Sequence, residues 1–309
     1  MRLAEYLVTS IRHNAGTRWY QFRLRTLFIS AMLSSLPLCW FAWQLAKGRE
    51  QRAVIGWIEE NGGTVNELFK TPDQSWWTKL RDNWFGERVY DVSLKASRAS
   101  DVMRLAEFSD LIELKIDGES IVDLSSLADF SKLESIDFSG TRVEDLSPLK
   151  DLKNLQYVYF NDTQVIDISP LSGLKKLIEI QFSNTLVSDL SPLMSCKNLS
   201  YAKFTDTPVS DLMPLAELRE LYSLDFSNTR VTSLSPLKMS RKLRNLHFAD
   251  TRVRDLTPLT NLKTLKSVSF ENTPVTQEQI DELRKHLPDC RIEHLASCTK
   301  TIPTRNDGK

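Results

Sequence analysis

The sequence predicts an α/β solenoid: parallel β-strands line a concave face, short 3₁₀ or helical segments return behind them, and one transmembrane helix precedes the stack. Three observations lead there. Proline recurs at Pro148, Pro170, Pro192, Pro214, Pro236 and Pro258, each 22 residues after the last, and a fixed period of that size marks stacked units. Leucines from Leu127 to Leu259, phenylalanines from Phe138 to Phe270 and valines from Val143 to Val275 keep the same step. An uncharged run from Thr26 to Ala46 precedes them all.

Residues 1–25 form a short basic tail carrying Arg12, Arg18, Arg23 and Arg25. As a helix, residues 26–46 would extend about 30 Å, enough for one membrane crossing. Pro37 would kink that helix without forbidding insertion, and Trp40, Trp43 and Lys47 fall where an interfacial belt is expected. Gln44-Leu45-Ala46 is a poor small-x-small cleavage site, so the run reads as a retained anchor rather than a removed signal peptide. Basic residues before the span slightly outnumber Lys47, Arg49 and Arg52 after it, which favours an inside tail, a single pass and an extracytoplasmic repeat domain.

Residues 47–88 read as a stem and N-terminal cap. Val54, Trp57 and Ile58 have helical spacing, and Gly62-Gly63 stops the helix. Trp76, Trp77, Trp84 and Phe85 follow. Large aromatics cover the open apolar end of a solenoid efficiently, although they could also line an aromatic pocket.

Residues 89–275 hold about nine units, with strand starts at Val89, Leu111, Leu133, Leu155, Leu177, Leu199, Leu221, Leu243 and Leu265. Ile136 and Phe138 alternate as a strand with one buried face does, Gly140-Thr141 turns, and Ser147-Pro148 reads as an N-cap with proline at the first helical position. At ~4.8 Å between strands the stack is on the order of 40 Å long. Residues 276–298 form a C-terminal cap, because Thr276-Gln-Glu-Gln279 is a capping box opening a helix with Ile280, Leu283 and Leu287 on one face. Residues 299–309 are polar and aperiodic, the pattern of a disordered tail.

The unit from Leu133 to Leu149, with Ile136, Phe138, Thr141, Val143, Asp145 and Leu146-Ser-Pro-Leu149, resembles the bacterial leucine-rich repeat in the short form of internalin-like proteins. The likeness covers roughly residues 89–276. It implies a membrane-anchored binding module that engages a protein or a glycan on its concave face, and the rival reading is an envelope scaffold or tether with no specific ligand. Where that family has asparagine at the turn, this chain has threonine from Thr141 to Thr273, which predicts a looser hydrogen-bonded ladder.

Forty basic and forty acidic residues balance, so charge selects no nucleic-acid partner. No phosphate loop, metalloprotease or nucleophile-elbow motif is present, and ten glycines leave little for a cofactor cradle. The expectation is a non-enzyme with no cofactor and no metal; the remote alternative is a catalytic site assembled from distant positions. Cys290 and Cys298 are close enough in sequence to pair, or are two free thiols.

Three polar columns bear on binding. Asp123, Asp145, Asp167, Asp189 and Asp211 either accept backbone N–H groups at their turns or hold cations such as calcium. Asp162, Asn184, Asp206, Asn228, Asp250 and Asn272 alternate in a way that keeps carboxylates two units apart. Arg230, Arg241, Lys242, Arg244, Arg252 and Arg254 gather in the later units, as a solvated face or a meeting place for an anionic partner. Strand residues that alternate with the core must face the concave side, and there Tyr157, Tyr159, Gln181, Tyr201 and Lys203 cluster as candidate partner-binding residues. The bland reading is that tyrosine suits strands and merely fills the surface.

Overall fold

The computed structural model describes residues 35–36, 38–66, 89–96, 99–108 and 110–294. The basic tail, residues 26–34 and Pro37 of the expected span, the Trp76–Phe85 aromatics, Cys298 and the polar tail lie outside the described residues. The chain divides into two units, residues 1–53 with 70–87 and residues 54–69 with 88–309. In the first, the described residues are helical, and Leu36, Leu38, Trp40 and Trp43 are exposed. Among the described residues no helix is long and apolar enough to cross a membrane.

The second unit opens with the helical residues 54–60. Gly62, at φ 76°, adopts the left-handed conformation that ends helices. The Gly63 N–H donates back to the Ile58 carbonyl at 2.9 Å and the Gly62 N–H to that of Glu59 at 3.0 Å, which satisfies the last carbonyls. Ile58 is fully buried, and the Arg104 guanidinium lies 4.6 Å over the Trp57 ring.

An eleven-stranded sheet follows in strict chain order. β1 (Thr64–Asn66) pairs antiparallel with β2 (Asp91–Lys95), and every later pair is parallel. β3 (Glu113–Asp117), β4 (Ser135–Asp137), β5 (Tyr157–Tyr159), β6 (Glu179–Gln181), β7 (Tyr201–Lys203), β8 (Ser223–Asp225), β9 (Asn245–His247) and β10 (Ser267–Ser269) carry the repeat, and β11 (Arg291–Glu293) ends the sheet. The nine strands β2–β10 are the nine expected units. β1 and β11 were not expected: they belong to the caps, where the 22-residue period gives no signal.

Between strands run short 3₁₀ turns such as Ser147–Leu149 and Ser191–Ser195. Here the expected capping role changes hands. The residue before the turn is Leu146, with no side-chain cap, and Ser147 is already inside. Proline has no N–H to offer, so the donor left to satisfy is that of Ser147, and Asp145 Oδ1 accepts it at 2.8 Å. Asp123, Asp167, Asp189, Asp211 and Asp255 do the same in their units, at 2.7–2.8 Å.

The core is a stack of layers. All seven phenylalanines from Phe138 to Phe270 are fully buried, with successive rings parallel to within 8–22° and centroids 5.2–6.2 Å apart. His294 extends the column, stacking on Phe270 at 5.1 Å. The threonines do not form a ladder between units, loose or otherwise. Each Oγ1 donates to the carbonyl of the phenylalanine three residues earlier, at 2.7–2.9 Å, so the bond closes the turn within one unit.

At this turn, side chains bond between units at the two preceding positions: Ser139, Asn161, Ser183 and Ser227 accept backbone N–H groups of the next unit, and a second series lies one residue before the threonines. Gly140 (φ 74°) and then Asp162, Asn184, Asp206, Asn228, Asp250 and Asn272 (φ 51–56°) are all left-handed, a conformation that Asn and Asp tolerate better than other side chains. The Asn184 amide donates to the Asp162 carboxylate at 2.8 Å and that of Asn272 to Asp250 at 3.0 Å; Asn228 bonds Asp206 likewise. The alternation therefore does more than separate charges. At the far end the capping box of Thr276 and Gln279 opens the helix Gln277–His286, whose Ile280 and Leu283 are buried.

Candidate functional site

Ile136, Val158, Ile180, Ala202 and Leu224 are buried at the centres of β4 to β8, so their neighbours on either side point away from the core. Parallel register then aligns Tyr157 with Glu179 and Glu179 with Tyr201 in one column, and Tyr159 with Gln181 and Gln181 with Lys203 in the next. All five residues expected from the sequence stand together on three adjacent strands. Tyr157, Tyr159 and Gln181 are half-buried, whereas Tyr201, at 40% of its surface, and Lys203 are exposed.

Glu179, between Tyr157 and Tyr201 in the same column, sits at the centre. Its Oε1 accepts from Gln181 Nε2 at 2.7 Å. Tyr159 stands on the neighbouring strand, and burial, followed by the negative charge of Glu179, holds its phenol well above its ordinary pKa.

Tyr222 was missed, and Arg244 was expected only as part of the basic cluster. The Tyr222 ring lies 5.4 Å from that of Tyr201, tilted by 44°, and the Arg244 guanidinium covers Tyr222 at 5.4 Å. Both precede their strands by one residue, outside the alternation that sorts inward from outward positions. On the other side of the tyrosines, Lys115 pairs with Asp137 at 3.5 Å.

A second surface follows the left-handed turns. An open groove of about 670 Å³ has Asp162, Asn184, Asp206 and Asn228 among its polar lining, with Leu186, Pro208, Arg230 and Arg252 beside them. The expected basic cluster of the later units is dispersed: Arg230 and Arg252 line this groove, Arg241 lines another, Lys242 pairs with Glu220 and Arg244 covers Tyr222.

The aspartate column spends its carboxylates on its own turns. The Ser147 and Ser191 hydroxyl and N–H hold Asp145 and Asp189 below the usual carboxylate pKa, and among the described residues no group of three His, Cys, Asp or Glu is placed to hold a metal ion. Cys290 is a half-buried free thiol, and burial raises its pKa.

Parallel three-residue strands, 3₁₀ returns and a continuous leucine and phenylalanine core define a leucine-rich-repeat solenoid. Its fold is that of the internalins. The chain is similar to the internalin InlF of Listeria monocytogenes, with 24% identity, 70% of each chain covered and a TM-score of 0.59. Internalin C2 of the same organism is 26% identical over 61% of this chain and 81% of its own, at a TM-score of 0.56. A leucine-rich-repeat protein of Leptospira interrogans, 17% identical over 65% of this chain and 58% of its own, scores 0.52. No protein-family model and no curated protein matches the chain.

Proposed function

We propose that this chain is a binding module that captures a partner protein on the concave face of its sheet, with Tyr157, Tyr159, Gln181, Tyr201 and Lys203 in contact with the partner. The observation that carries the reading is the convergence of three tyrosines, two on β5 and one on β7, about the intervening β6 on a solvent-facing sheet. Tyrosine offers a large apolar face and a hydroxyl with few rotatable bonds, which is why it is enriched at recognition hot spots. The internalin-like fold is consistent with such a role. Residues 26–46 tether the module as a single-pass anchor, with residues 1–25 inside and the repeats of residues 89–275 extracytoplasmic; the uncharged composition of the run and the exposure of Leu36, Leu38, Trp40 and Trp43 support this.

The test is cross-linking in cells, with the captured partner identified and then challenged with a Tyr157→Ser, Tyr159→Ser, Tyr201→Ser variant whose fold is checked by circular dichroism. Loss of several hot-spot side chains should weaken capture at least ~100-fold. Undiminished capture by the folded variant would move the site elsewhere, and capture of a glycan would replace the partner class. N-terminal sequencing of the membrane-extracted protein tests the anchor, which a mature terminus after Ala46 would remove.

A further inference from the structure

The centre of the tyrosine patch is a carboxylate that pairs with no cation among the described residues. Glu179 is half-buried and receives a neutral hydrogen bond from Gln181 Nε2, which helps fix its direction without neutralising its charge. No ion pair holds it among the described residues. Tyr157 and Tyr201 occupy the same column on the strands to either side, in direct register, each about 4.8 Å away along the sheet. The column therefore presents a phenol ring, an oriented carboxylate and a second phenol ring in sequence, over roughly 10 Å.

That order of groups fits one chemistry. A carboxylate attracts a cation directly, and the negative face of a tyrosine ring attracts one through its quadrupole. A metal ion would need several oxygen ligands where this site offers one carboxylate. An ammonium or guanidinium on a long alkyl stem can reach the sheet, lay its stem along the rings and set its charge against Glu179. The nearby charges do not satisfy Glu179 first. Asp137 is engaged by Lys115, and Lys203 stands diagonally one strand over, exposed and without an ion pair among the described residues.

The wider face agrees in sign. Although the chain is neutral overall, the two outward columns of β2–β10 that begin at Asp91 and Ser93 hold five carboxylates against two lysines and no arginine. Such a field draws in basic partners and disfavours acidic ones.

We infer that Glu179, flanked by Tyr157 and Tyr201, is a slot for a lysine or arginine side chain that a partner protein presents on a protruding basic segment. The inference rests on the concave face being the binding surface, and it adds the chemistry of what enters. The full chain, labelled with ¹³C in its tyrosine rings and held in detergent micelles, is titrated with blocked Gly-Arg-Gly and Gly-Lys-Gly tripeptides and with the citrulline counterpart, which keeps the shape of arginine and loses its charge. Both cationic peptides should shift the Tyr157 and Tyr201 ring signals saturably, at least ~10-fold more tightly than the citrulline peptide. Glu179→Gln keeps an acceptor for Gln181, so it should fold normally and bind the cationic peptides about tenfold more weakly.

Equal shifts from citrulline, unchanged binding by Glu179→Gln, or no shift from either cationic peptide would each overturn the inference. So would a neutral hexasaccharide that moves the same signals at lower concentration. The cross-linked partner separates this idea from the broader one. Capture lost by the tyrosine variant but kept by Glu179→Gln retires the cation slot and leaves the concave face as the binding surface, whereas capture kept by both retires the face itself.

Discussion

Replacing Phe204 with alanine removes a ring held between Phe182 at 5.3 Å and Phe226 at 6.2 Å, with no part of it exposed. Truncating a buried phenylalanine costs ~3–5 kcal/mol through lost transfer energy and the cavity left behind. Two stacked pairs disappear at once, each worth about 0.5–1.5 kcal/mol beyond its area, which places the loss near the top of that range, at ~4–5 kcal/mol. Each repeat touches only its neighbours, so the defect also weakens the connection between the earlier and later units. Urea unfolding followed by far-ultraviolet circular dichroism reads both effects. With a slope of about 2–3 kcal/mol/M, the midpoint should fall by ~1.5–2 M and the transition should broaden or split. Phe270→Ala, next to the terminal His294, should cost less because that end can fray locally. A Phe204→Ala midpoint at the wild-type value would show that the stack does not hold the solenoid together.

Ser240 occupies the column of Leu152, Leu174, Cys196, Leu218 and Leu262, all buried, and its hydroxyl has no hydrogen-bond partner among the described residues. Ser240→Leu should therefore stabilise the protein by about 1–3 kcal/mol and raise Tm by several degrees; a lower Tm would mean that this layer has closed around the smaller side chain. Because the pKa values of Asp145 and Asp189 are lowered in the folded chain, the stability they contribute is present above the ordinary aspartate value and lost as pH falls through the folded value. An Asp145→Asn, Asp189→Asn variant should melt with a flatter pH dependence below about pH 4, and an unchanged slope in differential scanning calorimetry would contradict the assignment. The carboxylates of the aspartate column are occupied by their own turns, so chelation with EDTA should leave Tm unchanged; a calcium-dependent rise would show that the column takes cations.

The repeat itself was legible because one period fixes every column at once. Given Phe138 at an inward position, Phe160 through Phe270 follow, and the tyrosines on the opposite pleat must share a face. Legibility ended where the period did. β1 and β11 are three residues each, and Val65 and Ile292 alone give no alternation to read. That Asp145 accepts a backbone N–H at its turn was among the readings of the sequence; that Ser147 is not the cap was hidden, because Ser-Pro opens α-helical and 3₁₀ turns alike and only the backbone angles tell them apart. Asn184 and Asp162 could have been paired from sequence: a left-handed turn every 22 residues brings their side chains together. Glu179 could not, since its role depends on which way Gln181 and Tyr159 lean.

Strand pairing throughout the repeat joins residues 22 apart, and this shapes how the molecule comes into being. For a 309-residue chain that separation is a relative contact order of roughly 0.07, a value typical of fast-folding helical bundles rather than of β proteins. Parallel sheets are ordinarily slow to form because distant segments must meet before any pairing is rewarded. Here a nascent chain can finish the N-terminal cap while the rest is still being synthesised. Each emerging unit then finds its docking edge already built by the one before it. The antiparallel β1 serves as the first template, and the Gln277–His286 helix arrives last, when only one apolar end is left to cover.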